Sequence, residues 1–417
     1  METYSAENPR RILILGGGFG GINTALNLLK LHIPHTKITL VSDSHHFNYT
    51  PALYKLATGA SPIETCIPLG EIFDHTNVEV IVDTITEGNL AEKFVLGASG
   101  SRYRYDFLVL ALGAETTYYG IPGIAENSFS LKTVETALAL KRHMHSLFAG
   151  SKNLTKGEQM SQFHFVIVGG GPAGVELASV IRHYARGLAE YHNIPVHLVT
   201  VTILQAGPRL LPTLTEEVSR RATKKLDELG INIILNRPVT SEDTGGVYLK
   251  DIRFNAKTIV WTAGVRASHI YQKISGLTLD KGGRILVNEF MQVQGIDTVF
   301  AIGDSASTPY AGTAQTANYD GSYIPKAIQA LILNKKPAAY APKVNPYVIP
   351  LGNNWGIFTY KNIVFSGRIF YWLRELIDLK FFLSILPLAK AVDVWREGGS
   401  ISESCPTCEK AQEGSGC

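Results

Sequence analysis

Residues 11–21 read Arg-Ile-Leu-Ile-Leu-Gly-Gly-Gly-Phe-Gly-Gly, an apolar run that ends directly in a glycine-dense turn. A helical pattern follows, with Ile22, Ala25, Leu26 and Leu29 on one face, and then a second apolar run, Lys37–Val41. The order predicts strand, turn, helix and strand, the unit that binds one dinucleotide. Gly16 makes the tight turn, Gly18 lets the backbone approach a pyrophosphate, and Gly21 lets helix and strand pack closely. Gly17, Phe19 and Gly20 complete the loop. The helix start offers free N–H groups and a positive dipole end to the phosphates.

A single G-x-G-x-x-G is weak evidence, because glycine-rich turns also serve packing alone. The pattern returns. Phe163–Val168 is apolar, Gly169, Gly171 and Gly174 occupy the same three positions, Val175–Ile181 begins a helix, and His197–Leu204 is the second strand. Both matches follow a strand and open a helix, the context that confirms them. The chain therefore contains an internal duplication, and two such sites imply two dinucleotides, most economically FAD and NAD(P)H.

The end of each second strand should offer an acid to a ribose. In the first unit this is Ser42 followed by Asp43. In the second it is Gln205, a neutral amide that bonds a 2′-hydroxyl without repelling a 2′-phosphate. Arg209 lies close enough in sequence to help with a phosphate, so NADPH stays open beside NADH. Tyr105–Leu112 reads as a buried strand ending in Gly113, and Thr258–Thr262 as its counterpart ending in Ala263-Gly264. Leu286–Glu289 and Thr298–Ile302 are further expected strands, the latter ending in Gly303-Asp304. Residues 151–161 read as a linker or exposed loop, residues 335–346 as another boundary, and the chain after Gly398 as a polar, flexible tail.

Composition agrees with a folded, slightly apolar chain of two or three domains. Over 417 residues the charged fraction is 18%, and 39 basic against 36 acidic residues give a net charge of +3. Mean hydropathy is +0.07. These values exclude disorder and a disulfide-stapled scaffold, and they give no case for nucleic-acid binding. Three of the four cysteines lie in the tail, which suits a reducing compartment. The N-terminus lacks an apolar signal core, and no run reaches the ~18 apolar residues of a spanning helix. The nearest is Phe381–Ala389, bounded by Lys380 and Lys390.

In RILILGGGFGG, YTPALYKLATG (49–59), VLALGAET (109–116), VIVGGGPAGVELA (166–178), LQAGPRLLP (204–212), TIVWTAGV (258–265), VFAIGDSA (299–306) and AQTANYDG (314–321), the sequence resembles the two-dinucleotide flavoproteins. Within them it is most similar to the single-subunit type II NADH:quinone oxidoreductases, over about residues 9–335. The resemblance implies that Ser42, Asp43, Ile85 (through its backbone), Glu115 and Asp304 bind FAD. It places Thr50-Pro51 near the isoalloxazine, Ala314-Gln315 at its pyrimidine end near the quinone, and Glu176 on the nicotinamide side. A helix starting near Gln315 would aim its positive end at the charge that gathers on reduced flavin. Glu176, expected in the first turn of the second nucleotide helix, would orient the carboxamide, relay a proton, or merely stabilise its helix end. Two positions depart from the family pattern: Tyr319 stands where a second glutamine is usual, and Pro325 interrupts an expected helix.

Other enzyme classes lose support. Residues 48–59 lack the Cys-x4-Cys pair of disulfide reductases, and Cys66 stands alone where sulfide:quinone reductases need a pair. Cys405-Pro-Thr-Cys408, with Cys417, lies in the polar tail without metal-ligand partners, and no metal site is expected. The rivals left open are a soluble NAD(P)H-dependent reductase of a protein partner such as ferredoxin and a low-turnover flavin redox sensor.

Residues 363–395 are crowded with aliphatic and aromatic side chains. On a helix, Ile369, Trp372, Leu373, Leu376, Leu379 and Leu383 share a broad face, with Arg374, Glu375 and Asp378 largely off it. Trp and Tyr beside cations suit a bilayer interface, the competing occupant being the protein's own core or a second copy in a homodimer. The expected class is α/β with two Rossmann-like dinucleotide-binding domains and a C-terminal amphipathic segment. The expected division is 9–122 and 266–340 for FAD, 123–265 for NAD(P), 341–396 for membrane or dimer contact and 397–417 as tail. The expected location is peripheral, on the cytoplasmic side of the cell membrane.

Overall fold

Ile12, Ile14 and Leu15 are completely buried because their strand, Arg10–Leu15, lies in the middle of a parallel sheet. Thr36–Ser42 pairs on one side and Phe107–Leu110 on the other, with Val78–Val82 and Val299–Ala301 at the edges. Buried parallel strands read as continuous apolar runs, which is what these segments are. The computed structural model describes residues 4–5, 7–151, 154–250, 252–342 and 345–398. Helix α1 (Phe19–Lys30) follows the first glycine turn, and a short helix α2 (Leu53–Ala57) follows Thr50–Pro51.

A second five-stranded parallel sheet repeats the arrangement, in the order Phe129–Ser130, Thr258–Trp261, His164–Val168, Thr200–Leu204 and Asn232–Ile234. The strand before the glycine turn is central in both sheets, flanked by the same two partners. The duplication read from the glycine pattern is therefore a duplication of topology.

Four local expectations are corrected. Residues 151–161 are not all loop: helix α3 (Lys156–Gln162) forms there, its start closed by reciprocal Thr155 and Glu158 bonds. The second strand of the second unit begins at Thr200, because Val196–Leu198 turns as a 3-10 helix. Helix α4 (Pro172–Tyr191) then packs on the sheet. Leu286–Glu289 makes only isolated bridges, at Ile285 and Val287, and no strand.

The fourth correction concerns Pro325, which does not break its helix; α5 runs from Ala314 to Ile332 with Pro325 buried inside it. Proline inside a helix costs about 3 kcal/mol, and here tertiary packing outweighs it. Helices α1 and α5 cross so closely that a Cβ on Gly321 would lie 2.7 Å from Asn23 Cβ and 2.8 Å from Gly20 O. Asn23 also donates to Asn318 across the crossing.

A three-stranded antiparallel sheet (Tyr347–Pro350, Gly356–Tyr360, Ile363–Gly367) precedes helix α6 (Arg368–Ile385) and helix α7 (Leu388–Gly398). Among the described residues no helix is long and apolar enough to cross a membrane. The tail cysteines lie outside the described residues.

Helix α6 is inside out. Asp378 is 0% exposed, whereas Ile369 is 71% and Trp372 63% exposed. The apolar face read from the sequence exists, but it points to solvent, and the charged face points into the protein.

Candidate functional site

The two glycine turns have one geometry. A Cβ on Gly21 would lie 1.9 Å from Gly16 O, and one on Gly174 1.9 Å from Gly169 O, so only glycine lets each helix start this close to its strand. Around Gly18 and Gly171 a Cβ would meet nothing within 4 Å, so both turns are open at the helix start. Neither N-cap bonds its helix through a side chain. Two helices thus begin at unobstructed glycines with N–H groups free for phosphate. The residues fit two dinucleotides.

Around the first turn, Ser42 ends its strand buried, with its Oγ accepting from Ser44 N at 3.3 Å, and Asp43 follows exposed. Thr50 and Pro51 form a 3-10 turn immediately before α2. Ile85 is buried at the start of the strand Ile85–Asn89. Gly113 N donates to Ser305 Oγ at 3.1 Å, and Gly303 N to Asp320 Oδ2 at 2.8 Å, which joins the segment after Leu110 to the Gly303–Asp304 turn and α5. Glu115 lies in the antiparallel pair Ala114–Thr116 and Val265–Ala267 that crosses between the units. Against partial burial, hydrogen bonds from His269 (2.8 Å) and Arg266 (2.7 Å) hold its carboxyl below the ordinary range. Ala314 and Gln315 begin α5 as expected, capped by Thr313.

Gln315 and Tyr319 both reach the following segment. Gln315 Nε2 donates to Pro346 O at 3.2 Å, the Tyr319 hydroxyl to Ala341 O at 2.8 Å, and the Tyr323 hydroxyl to Ala338 O at 2.7 Å. Three side chains spaced one turn apart fasten Ala338, Ala341 and Pro346 to α5. The tyrosine that replaces the family glutamine therefore has a structural partner.

At the second turn, Gln205 Oε1 accepts from Gly170 N at 2.8 Å, so the amide buttresses the loop from the strand end. Arg209 is turned elsewhere. Its guanidinium donates to Leu211 O (3.1 Å), Pro212 O (2.6 Å) and Ser219 Oγ (2.8 Å), which occupies the group that would otherwise meet a 2′-phosphate. Gly264 lies against the Tyr119 ring, where a Cβ would come within 2.6 Å.

Glu176 is placed differently from expectation. Helix α4 begins at Pro172, so Glu176 opens the second turn rather than sitting in the first, and it is only 8% exposed. Burial pushes its carboxyl up to about 8; Arg374 and Lys55 oppose that rise and Asp378 adds to it. A carboxylate stabilising a helix start would shift the other way.

The feature sequence reasoning missed lies between these parts. Lys55 Nζ is 2.9 Å from Glu375, 3.4 Å from Glu64 and 4.0 Å from Asp378. Asp378 accepts from Arg374 Nε at 3.0 and 3.2 Å and from the Tyr49 hydroxyl. None of the charged members is more than 13% exposed. Burial works against the Lys55 ammonium, but the fields of Glu64, Tyr54, Glu375 and Asp378 hold it firmly protonated. Burial pushes Glu64 up to about 7 although Lys55 opposes it. Burial also raises the Tyr49 phenol, with Asp378 second. The ring of Tyr49 stacks on Phe381 at 5.2 Å, and Phe381 lies 5.1 Å from Phe19 of the first glycine turn. The sequence signal for the cluster is a lysine inside the apolar run Leu53–Ala57 and the i,i+4 pair Arg374–Asp378 in an otherwise apolar helix.

A separate open cleft of about 1080 Å³, lined by His164, His197, Asn232 and Arg253 among others, lies at the N-terminal ends of the second sheet's strands. Dinucleotides bind at the other end of such sheets, so the cleft does not belong to this site. Among the described residues no three His, Cys, Asp or Glu side chains gather as a metal site.

Comparison with known proteins agrees with this geometry. The family model for pyridine nucleotide-disulphide oxidoreductases matches residues 10–321. The type II NADH:quinone oxidoreductase Ndh of Mycobacterium tuberculosis is 31% identical over 367 residues, 82% of this chain and 77% of that protein. The type II NADH:quinone oxidoreductase of Staphylococcus haemolyticus is 26% identical over 90% of this chain and 96% of its own. The structure of NDH2 from Plasmodium falciparum in complex with NADH has the same fold, with a TM-score of 0.83 at 18% identity, covering 94% of this chain and 97% of that one.

Proposed function

The chain belongs to the type II NADH:quinone oxidoreductases, and on that premise we propose how its own residues carry the reaction. The enzyme is an FAD-dependent dehydrogenase that oxidises NADH and reduces a quinone without pumping protons. FAD, when bound, supplies a carrier that accepts a hydride and passes on two electrons.

Gly16, Gly18 and Gly21 with Ser42, Asp43, Ile85, Gly113, Glu115, Gly303 and Asp304 hold FAD. Thr50-Pro51 and Ala314-Gln315 flank its ring system, and the positive start of α5 stabilises charge there. Gly169, Gly171, Gly174, Gln205 and Gly264 hold NADH. Glu176, protonated at neutral pH, donates a hydrogen bond toward the nicotinamide carboxamide. Arg209 is bound to its own turn, which favours NADH over NADPH as donor. The two topological units support the division 9–122 and 266–340 for FAD against 123–265 for NADH.

The outward apolar face of α6, extended by Phe365 and Leu388 and accompanied by exposed Lys361, Arg368 and Lys380, docks on the cytoplasmic surface of the cell membrane. A hydrophobic quinone is collected from there. The same face offers room for a second copy of the chain, so a homodimer would compete with or share it. An outward apolar face also argues against the soluble reductase of a protein partner.

The observation that carries this reading is the pair of equivalent open glycine turns with a buried ionisable cluster between them. Stopped-flow mixing tests it: NADH should bleach the flavin much faster than NADPH, and a short-chain quinone should restore the colour. Quinone reoxidation no faster than air oxidation would refute it.

A further inference from the structure

The cluster contains four carboxyls, Glu64, Glu176, Glu375 and Asp378, and two fixed cations, Lys55 and Arg374. Fully ionised, it would hold two more negative charges than positive. A dry site resolves such an excess by keeping protons on carboxyls. Glu375 and Asp378 have the closest cationic partners. Glu375 lies 2.9 Å from Lys55, and Asp378 accepts two bonds from Arg374 and one from Tyr49. Glu176 makes no ion pair within 4.0 Å among the described residues, and burial raises its carboxyl to about 8. Among the described residues Glu64 has one ion-pair contact, at a longer 3.4 Å, with a Lys55 that it shares with Glu375.

The groups facing Glu64 come from every neighbouring element: Lys55 from α2, Tyr49 before it, and Tyr371, Arg374, Glu375 and Asp378 from α6. Helix α7 contributes backbone, Gly398 lying against the Glu64 side chain. The α7 residues Asp393, Arg396 and Glu397 are exposed, and Lys390 pairs with Glu71 at 3.2 Å. The cluster stands between the two cofactor turns, since Tyr49 reaches Phe19 on one side and the Glu176 field reaches Arg374 on the other.

We propose that Glu64 is the charge-compensating residue of the flavin site, taking up one solvent proton when NADH reduces the flavin and releasing it when quinone is reduced. The hydride leaves NADH with its electron pair, giving NAD+, and the flavin gains one negative charge without any solvent proton moving. The solvent proton binds a Glu64 carboxylate oxygen and offsets that charge. When the quinone takes the hydride equivalent, the proton follows it, and the sum is NADH, H+ and quinone giving NAD+ and quinol. Burial and Lys55 together poise Glu64 near neutrality, where added charge changes its occupancy most. The inference rests on the NADH and flavin part of the proposed function and not on the acceptor.

The test is anaerobic reduction of the flavin-loaded enzyme by NADH in weak buffer near pH ~7.5, with an indicator dye recording protons taken up per flavin reduced. Wild type should take up about half a proton or more. Glu64→Gln should bleach fully but lose most of this uptake, and Glu64→Asp should retain it with a displaced pH midpoint. Equal uptake by wild type and Glu64→Gln overturns the proposal. If Glu64→Gln fails to hold flavin, the infrared difference spectrum of wild type on reduction decides: a new protonated-carboxyl stretch sensitive to D2O is expected, and its absence overturns the proposal. A wild-type flavin that NADH does not bleach would sink the functional reading as well.

Discussion

The Tyr49 hydroxyl donates to a carboxylate oxygen of Asp378, 329 residues further along the chain. That bond joins the segment leading into Thr50-Pro51 to the charged, inward face of α6. The helix that carries the apolar surface patch is thereby anchored beside the expected flavin ring. The exposed apolar patch and the position beside the expected flavin ring become properties of one helix.

Removing the acceptor should be costly. Asp378→Ala leaves Arg374 and Lys55 in a buried site with less countercharge, and losing one partner of a buried pair costs about 3–5 kcal/mol. Chemical denaturation at neutral pH should show a loss in that range. Asp378→Asn, which keeps an acceptor for Tyr49, should lose less.

The outward face should be separable from the chemistry. Replacing Ile369, Trp372 and Leu376 by serine removes side chains each worth about 1.5–3 kcal/mol when fully buried in an apolar phase. Cosedimentation with anionic vesicles should fall by about two orders of magnitude or more. Flavin bleaching by NADH in solution should be unchanged.

Glu242 is 6% exposed, and among the described residues neither of its carboxyl oxygens has a hydrogen-bond partner. Burial, then the charges of Asp243 and Glu126, push it up to about 8. Its folded value is thus above its unfolded value, so between the two the unfolded chain binds fewer protons and stability falls as pH rises. Glu242→Gln should stabilise the protein by about 1–3 kcal/mol near pH 8 and by progressively less toward pH ~4.5. Thermal unfolding across that window checks the sign.

Tyr319→Phe should be mild. It removes one hydroxyl-to-carbonyl bond worth about 1 kcal/mol, and the neighbouring Gln315 and Tyr323 bonds still fasten the segment. A fall in quinone affinity beyond about threefold would show that Tyr319 contacts the acceptor directly.

Arg209→Ala should leave the preference for NADH over NADPH unchanged, since its guanidinium serves Leu211, Pro212 and Ser219. A denaturation loss of about 1–3 kcal/mol is expected instead. Steady-state rates with both nucleotides separate the two outcomes.

Local patterns were enough to read the two nucleotide units. The apolar runs ending in Gly16 and Gly169 carry their reason locally, because a strand buried on both faces is apolar throughout and only glycine permits the turns. The apolar stripe of α6 was legible from periodicity, whereas the start of α5 near Ala314 was implied by the family resemblance. Pro325 shows the limit of such reading: its cost is local, but the compensation is the approach of Gly321 to Gly20 across two distant helices. The direction α6 faces was likewise beyond the sequence, since periodicity separates two faces without saying which meets the core. Glu64 and Glu375 look like ordinary solvated charges along the chain, and the apolar settings of Lys55 and Asp378 do not say that the four meet. Tertiary structure alone gathered them, because a buried charge acquires its partner and its proton affinity only from groups that folding brings within a few ångströms.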